Sequence, residues 1–264
     1  MLNPDSSSLG IKLGISPANR SLERGIEILR AFRPGSDLLG NGDIAERTGL
    51  SKSTVSRLTQ TLVGVGMLQH DTRHRAYRLA PAVLSFAHAM RTGSGVLALA
   101  APKMRALAEK HAINVGLAAP DRDEMVYLES IRYKRRVAFR NVVSGQRIPM
   151  ELTSLGRAYL ATLSMHQCKP LLTLFKNKRG ASWSDLSKEI DEARRDIERV
   201  GFCFASWQPG VVAVAVPLQV DGSVYVLNVS TSVDEPIAAL VKRLAQPLLQ
   251  LRDEIVQALQ DDYI

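Results

Sequence analysis

The 264-residue chain predicts an α/β (α+β) protein: an N-terminal winged helix-turn-helix, a helical linker and a larger mixed α/β domain. Three observations predict it. Apolar residues recur at helical spacing in three short segments up to about Val63, and two strand-like segments around a charged turn follow them. A strongly apolar helical stretch then runs from Pro81. Beyond it, strand-like and helical segments alternate to the C-terminus. At roughly 100–200 residues per domain, the length suits two domains. The boundaries predicted are 1–19 for a mobile arm, 20–80 for the winged helix-turn-helix, 81–95 for the linker and 96–264 for the second domain.

Asn3 to Ser8, Gly10, Gly14 and Pro17 give the opening arm no apolar periodicity. Ser21 is placed to cap a first helix whose Leu22, Ile26 and Leu29 share a face through about Phe32. Pro34-Gly35-Ser36 breaks it. A short helix over Gly42–Thr48, the pair Gly49-Leu50 and a helix from Ser51 to about Val63 follow. Met67–His70 and Tyr77–Leu79 read as strands around the turn Asp71–Arg75. Val83, Phe86, Ala87 and Met90 form one apolar stripe, and Leu97, Ala100, Met104 and Ala108 form the next after Gly93-Ser94-Gly95. The first stripe and the helix around Leu97–Ala108 are expected to supply dimer contacts. In the second domain, strands are predicted over Asn114–Ala119, Met125–Ser130, Arg136–Val143, Phe202–Ser206, Val211–Leu218 and Ser223–Ser230. Helices are predicted over Ser154–Leu163, Lys169–Lys176, Ser184–Val200 and Pro236–Leu259, the last bent or interrupted at Pro247. Gly145–Glu151 reads as a loop.

Composition narrows the function classes. Hydrophobic residues make up 45% and charged residues 23%, which excludes a disordered chain or a rod. The apolar runs, such as Val211–Leu218, fall far short of the roughly 20 residues that span a bilayer. The first twenty residues lack a continuous apolar stretch, so neither a signal peptide nor a membrane partner is expected. Cys168 and Cys203 are too few for a disulfide framework, and a cytoplasmic location is the expectation. The net charge of +8 invites an anionic partner. Residues 1–90 hold 11 basic and 7 acidic side chains, so the excess is densest there.

The segment 41–61 carries the strongest signal. Ala45 is small where a second helix crosses it, Gly49 suits a turn at positive φ, and Ile44, Leu50, Val55 and Leu58 make a shared core. Ser51 caps the second helix. That helix then exposes Lys52, Ser53, Thr54, Ser56, Arg57 and Gln60, all hydrogen-bond donors and none acidic. A major-groove reader needs such a face: short polar groups near the helix N-terminus and an arginine for guanine or phosphate. Arg73, His74, Arg75 and Arg78 cluster in and after the hairpin turn, where a wing meets the DNA backbone or minor groove. Double-stranded promoter DNA is the expected partner.

Ser21-Leu22-Glu23-Arg24, Ile44-Ala45, Gly49 through Leu58 and Tyr77-Arg78-Leu79 together resemble the N-terminal half of the IclR family of bacterial transcriptional regulators. The likeness continues through Val126-Tyr127-Leu128-Glu129, Gly145 to Met150, Leu155-Gly156-Arg157-Ala158, Glu198–Phe202, Pro209-Gly210 and Val214–Pro217. It covers about Ser21 to Leu259. The resemblance implies that the second domain is GAF-like and serves effector binding and oligomerisation. It further implies a homodimer or homotetramer on a palindromic promoter site, tuned by a small molecule that is often a carboxylate.

On the residues alone, the start of the helix at Thr153-Ser154-Leu155-Gly156 offers free N–H groups to an anion, although an ordinary capped helix looks the same. The resemblance assigns the carboxylate to the amides of Ser154 and Leu155. It also assigns effector contacts to Asn228 and Ser230, which share one face of a strand. The family's acidic stretch before Gly210 is absent here, and its cysteine on the next strand is replaced by Ala213. With Trp207 as a candidate stacking wall, these departures point to an effector with an apolar or aromatic body. The basic run Arg132–Arg140 reads as surplus charge on a strand edge.

No H-E-x-x-H, C-x-x-C, G-x-S-x-G or phosphate-binding glycine loop occurs, and the five histidines are scattered. No enzyme activity, cofactor or metal is expected. Two other classes stay open: a constitutive DNA-binding protein whose second domain only oligomerises, and an enzyme domain fused to a DNA-binding module.

Overall fold

The computed structural model describes residues 19–133 and 143–261. The arm through residue 18 and nearly all of the strand expected over Arg136–Val143 lie outside the described residues. The chain divides into two compact units, one ending at Met90 and one starting at Arg91.

The first unit begins with α1 (Arg20–Arg30). Its cap is Asn19, not Ser21. The Asn19 side chain accepts from the N–H groups of Ser21 and Leu22 at 3.1 and 3.2 Å, so the helix starts earlier than a Ser21 cap would set it. Helices α2 (Asn41–Thr48) and α3 (Lys52–Gly64) follow, then the hairpin of β1 (Leu68–Asp71) and β2 (Ala76–Leu79). Ile28, Ile44 and Val55 are fully buried with Leu39 and Leu68 in one core. Each such side chain contributes about 1.5–3 kcal/mol of burial. Leu39 also exchanges two backbone hydrogen bonds with Tyr77, adding a bridge beside the hairpin.

Helix α4 (Ala82–Thr92) buries none of its residues, and Leu84, Phe86 and Met90 are all exposed. Helix α5 (Gly95–His111), capped by Ser94, behaves differently from its expected role. Its stripe of Leu97, Ala100, Met104 and Ala108 is turned into the core of its own unit. That stripe is therefore taken up by intramolecular packing, and any dimer contact from α5 falls to its other faces.

The second unit is built on one six-stranded antiparallel sheet of order β5-β4-β3-β8-β7-β6. The strands are β3 (Asn114–Asp121), β4 (Glu124–Ile131), β5 (Arg147–Pro149), β6 (Cys203–Ala205), β7 (Val211–Val220) and β8 (Ser223–Ser232). Strand β5 falls in the predicted loop. It is a three-residue edge strand, too short to show alternation, and Arg147 fastens it to Asp121 and Glu124 by ion pairs. One face of the sheet packs on α5 and α9 (Ile237–Asp261). Pro247 does not interrupt α9, whose Leu244, Leu248, Leu251 and Ile255 are buried on both sides of it.

The other face packs on α6 (Ser154–Thr162), α7 (Met165–Arg179) and α8 (Trp183–Val200). Helix α7 starts four residues before the predicted Lys169. Ser164 and Gln167 form a capping box that sets the earlier start, and the helix runs on past Pro170. Among the described residues, no helix is long and apolar enough to cross a membrane.

Candidate DNA-binding and effector sites

In the first unit, Gly49 ends α2 at φ 69° and donates its N–H to the Ala45 carbonyl at 2.9 Å. A side chain at this φ is strained, and the turn brings α3 across α2 only because glycine tolerates it. Ser51 caps α3, its Oγ accepting from the Thr54 N–H at 3.3 Å. The hydroxyls of Ser53 and Thr54 lie 3.1 and 2.9 Å from the same oxygen. Three hydroxyls thus gather at the start of α3. Val55 and Thr59 turn inward, and Lys52, Ser53, Arg57 and Gln60 are exposed, with Thr54 and Ser56 half-buried beside them.

Two supports escaped the sequence reading. Thr59 is fully buried; its hydroxyl donates to the Val55 carbonyl at 2.9 Å and meets the Asn41 side chain at 3.5 Å, joining α3 to α2. Arg47 donates to the Ala31 carbonyl at 2.9 Å and to Ser36 Oγ at 2.6 Å. This cation is a structural tie on the first unit. No spacing in the sequence signals either contact.

In the hairpin, Arg73, His74 and Arg75 are exposed, and Arg75 sits at φ 50° in the turn. Asp71 organises the turn by accepting from the His74 N–H at 3.0 Å. That bond is the main cause that holds the Asp71 carboxyl below its usual range, and His74 and Arg78 reinforce it against desolvation. Arg78 also donates to Asp71 and is thereby occupied within the chain. Arg73 and Arg75 have no ion pair among the described residues.

In the second unit, Thr153 caps α6 by accepting from the Gly156 N–H at 3.2 Å while donating to the Pro149 carbonyl at 2.9 Å. A Cβ at Gly156 would lie 2.0 Å from the Met150 carbonyl oxygen, so only glycine lets the chain fold back this tightly before the helix. The amides of Ser154 and Leu155 have no intramolecular acceptor among the described residues, as expected of a first helical turn.

Charged groups frame this corner. Glu151 is fully buried; its Oε1 accepts from Arg179 Nε and Nη2 at 2.8 and 2.5 Å, and its Oε2 has no partner among the described residues. Arg157 donates to the Glu151 carbonyl at 3.1 Å and pairs with Glu189 on α8. The start of α6 is therefore tied to α7 and α8. No spacing along the chain signals these long-range pairs.

The sheet brings together most of the other expected residues. Ala213 pairs with Ser230, and Ala215 with Asn228, so all four share a face. Cys203 pairs with Ala215 in the same row, and its Sγ approaches the Ser154 carbonyl at 3.5 Å. This links the α6 start to that face. Burial pushes the Cys203 thiol up to about 12, so it is an inert packing group there. Asn228 is 5% exposed and lies among apolar Ala118, Ala215 and Val226. Its Nδ2 donates to the Tyr127 hydroxyl at 3.5 Å, and its Oδ1 has no partner among the described residues. Trp207 lies on the loop after β6 and is about a third exposed. Among the described residues, no group of three or more His, Cys, Asp or Glu side chains is placed to hold a metal.

Comparison with known proteins agrees with this architecture. The IclR helix-turn-helix domain matches residues 21–72, and the bacterial transcriptional regulator IclR C-terminal domain matches residues 88–256. The chain is 31% identical to the HTH-type transcriptional regulator TsaQ1/TsaQ2 of Comamonas testosteroni, over 90% of this chain and 87% of that protein. It is similar to the crystal structure of an IclR family transcriptional regulator from Brucella abortus, with a TM-score of 0.82, 32% identity, and coverage of 95% of this chain and 96% of that one. An IclR homologue from Microbacterium hydrocarbonoxydans, solved with 4-hydroxybenzoate, shares the fold at a TM-score of 0.66 and 21% identity, over 90% of this chain and 99% of that one.

Proposed function

The chain belongs to the IclR family of DNA-binding transcriptional regulators, and from that premise we propose that it reads a palindromic promoter site as a dimer and answers to a small carboxylate. The observation that carries the first half is the acid-free face of α3. Lys52, Ser53, Thr54, Ser56, Arg57 and Gln60 are presented on a helix whose opposite side is locked by Ile44 and Val55. Ser51 supports them as the cap. Arg57 and Lys52 enter the major groove, and Arg73 and Arg75 meet phosphate from the wing, with Arg78 held in reserve by Asp71. In a dimer, two such helices address half-sites about 34 Å apart or a multiple of it. The exposed apolar residues Phe86 and Met90 of α4 supply dimer contacts.

The effector reading rests on the polar face formed by Asn228 and Ser230 against the free amides of Ser154 and Leu155, with Ala213 leaving room beside them. A carboxylate takes the helix start. The apolar surroundings favour an aromatic or apolar body, in keeping with the 4-hydroxybenzoate held by the Microbacterium hydrocarbonoxydans homologue. The effector shifts the DNA heads only by the difference in its affinity for their two poses. The second domain is a sensor and performs no chemistry of its own.

Footprinting of the promoter region with and without aromatic and aliphatic carboxylates tests both halves. A protected palindrome whose occupancy changes with one acid is the expected result. Protection insensitive to every acid favours a constitutive binder whose second domain only oligomerises.

A further inference from the structure

The sheet face of the second unit carries more polar groups than the carboxylate site uses. Along one row lie Cys203, Ala215, Asn228, Gly116 and Ser130, on five adjacent strands. In the next row Ser230 pairs with Asn114, and Arg132 follows directly after β4 at that level. The Tyr133 N–H donates to Asn114 Oδ1 at 3.3 Å, which fixes the chain there. Gly116 makes space for the group: a Cβ on it would lie 2.5 Å from both Asn228 Oδ1 and the Tyr127 ring.

Two buried polar atoms in this cluster, Arg132 Nε and Asn228 Oδ1, have no hydrogen-bond partner among the described residues. Native proteins seldom leave such atoms unsatisfied. Arg132 is half-buried and lies within electrostatic reach of Tyr127. The Tyr127 phenol cannot balance its charge, because burial pushes that hydroxyl up to about 12 and keeps it neutral. The acid closest in sequence, Glu129, pairs with Arg91 at 2.6 Å. Among the described residues, a guanidinium with no ion pair therefore borders a face where an acceptor also has no donor.

We propose that Arg132 is the counter-charge for a second acidic group on the effector, so that the site takes dicarboxylic acids in preference to matched monocarboxylic ones. This rests on reading the α6 start and the Asn228 face as the effector site. Ser154 lies at the Cys203 end of the row and Arg132 at the opposite end, four strand spacings away. At about 4.8 Å per spacing the backbones are roughly 19 Å apart, a gap that the long arginine side chain shortens. A ligand that satisfies both ends carries its acidic groups at its two extremities, with a hydroxyl or other donor between them for Asn228 Oδ1. Arginine suits the role because its planar fork binds a carboxylate through two parallel bonds.

Calorimetry on the full chain with matched pairs, benzoate against benzene-1,4-dicarboxylate and hexanoate against adipate, tests the proposal. At least one diacid should bind ten-fold or more tightly than its monoacid partner. R132Q should erase that difference and leave the monoacid unchanged, and R132K should keep most of it. Thermal unfolding establishes that each variant is folded, and should R132Q fail to fold, a selective weakening of the diacid in R132K carries the result. Equal binding of the paired acids, or a diacid preference that survives R132Q, overturns the proposal and leaves the effector reading intact. Absence of binding by every acid overturns the effector reading itself, and this proposal with it.

Discussion

Arg78 donates to the Asp71 carboxylate across the β1–β2 hairpin, so one of the three wing arginines already has a partner inside the chain. Arg73 and Arg75 differ from it in this respect. Replacing either of them by alanine should lower the slope of log affinity against log salt by about 1. Arg78→Ala should change that slope less and loosen the hairpin instead. Fluorescence anisotropy across a salt series separates the two outcomes.

The same carboxylate gives the wing a pH response. A carboxyl whose folded pKa is depressed stabilises the fold above its unfolded value, and that stability is lost as pH falls through the folded value. The Asp71 carboxyl is lowered in this way, chiefly by the His74 N–H. The turn should therefore be constant near neutrality and loosen only below about pH 4. Amide exchange at His74, followed through an acid titration, reads this directly. Loosening that sets in between pH 6 and 8 would contradict it.

Arg57 is the base-reading candidate on α3. Arg57→Ala should weaken specific operator binding by about 1–3 kcal/mol. Equal loss on scrambled duplex would show that it contacts phosphate alone.

Gly156→Ala places a Cβ 2.0 Å from the Met150 carbonyl oxygen, a backbone atom with no rotamer to adopt. The start of α6 must shift, at a cost of at least about 1–3 kcal/mol. A lowered melting temperature together with loss of carboxylate binding is expected. Unchanged binding would place the carboxylate elsewhere.

Arg179→Met strips the fully buried Glu151 of its only side-chain partner among the described residues. Removing one member of a buried pair costs about 3–5 kcal/mol, and the partial exposure of Arg179 puts this one near the lower end. Adding Glu151→Gln should recover part of the loss, measured as denaturation midpoints of the single and double variants.

Legibility differed between the two units for a physical reason. Ile44, Ala45, Gly49, Ser51 and Val55 act on one another within a dozen residues, and their spacing alone announces the crossing of α2 and α3. The positive φ of Gly49 and the cap at Ser51 follow from local chemistry. The apolar stripe of α5 was equally visible, but periodicity says that a face is buried and not what covers it. The sheet of its own unit covers it.

The order of elements, the helix-turn-helix with its acid-free face, and the family likeness that pointed to Ser154, Leu155, Asn228 and Ser230 are all present in the linear chain. Three relationships exist only once the chain is folded: Arg78 is held by Asp71, Glu151 is buried against Arg179, and Arg132 follows β4 at the level of the Asn114–Ser230 pair. Tyr127 and Asn228 touch across 101 residues of chain. Contacts of that range are set by strand register and sheet order, and a one-residue slip would turn each of these side chains to the opposite face. A basic run that reads as surplus charge along the chain thus contains, at Arg132, a half-buried cation within electrostatic reach of Tyr127 and with no ion pair among the described residues.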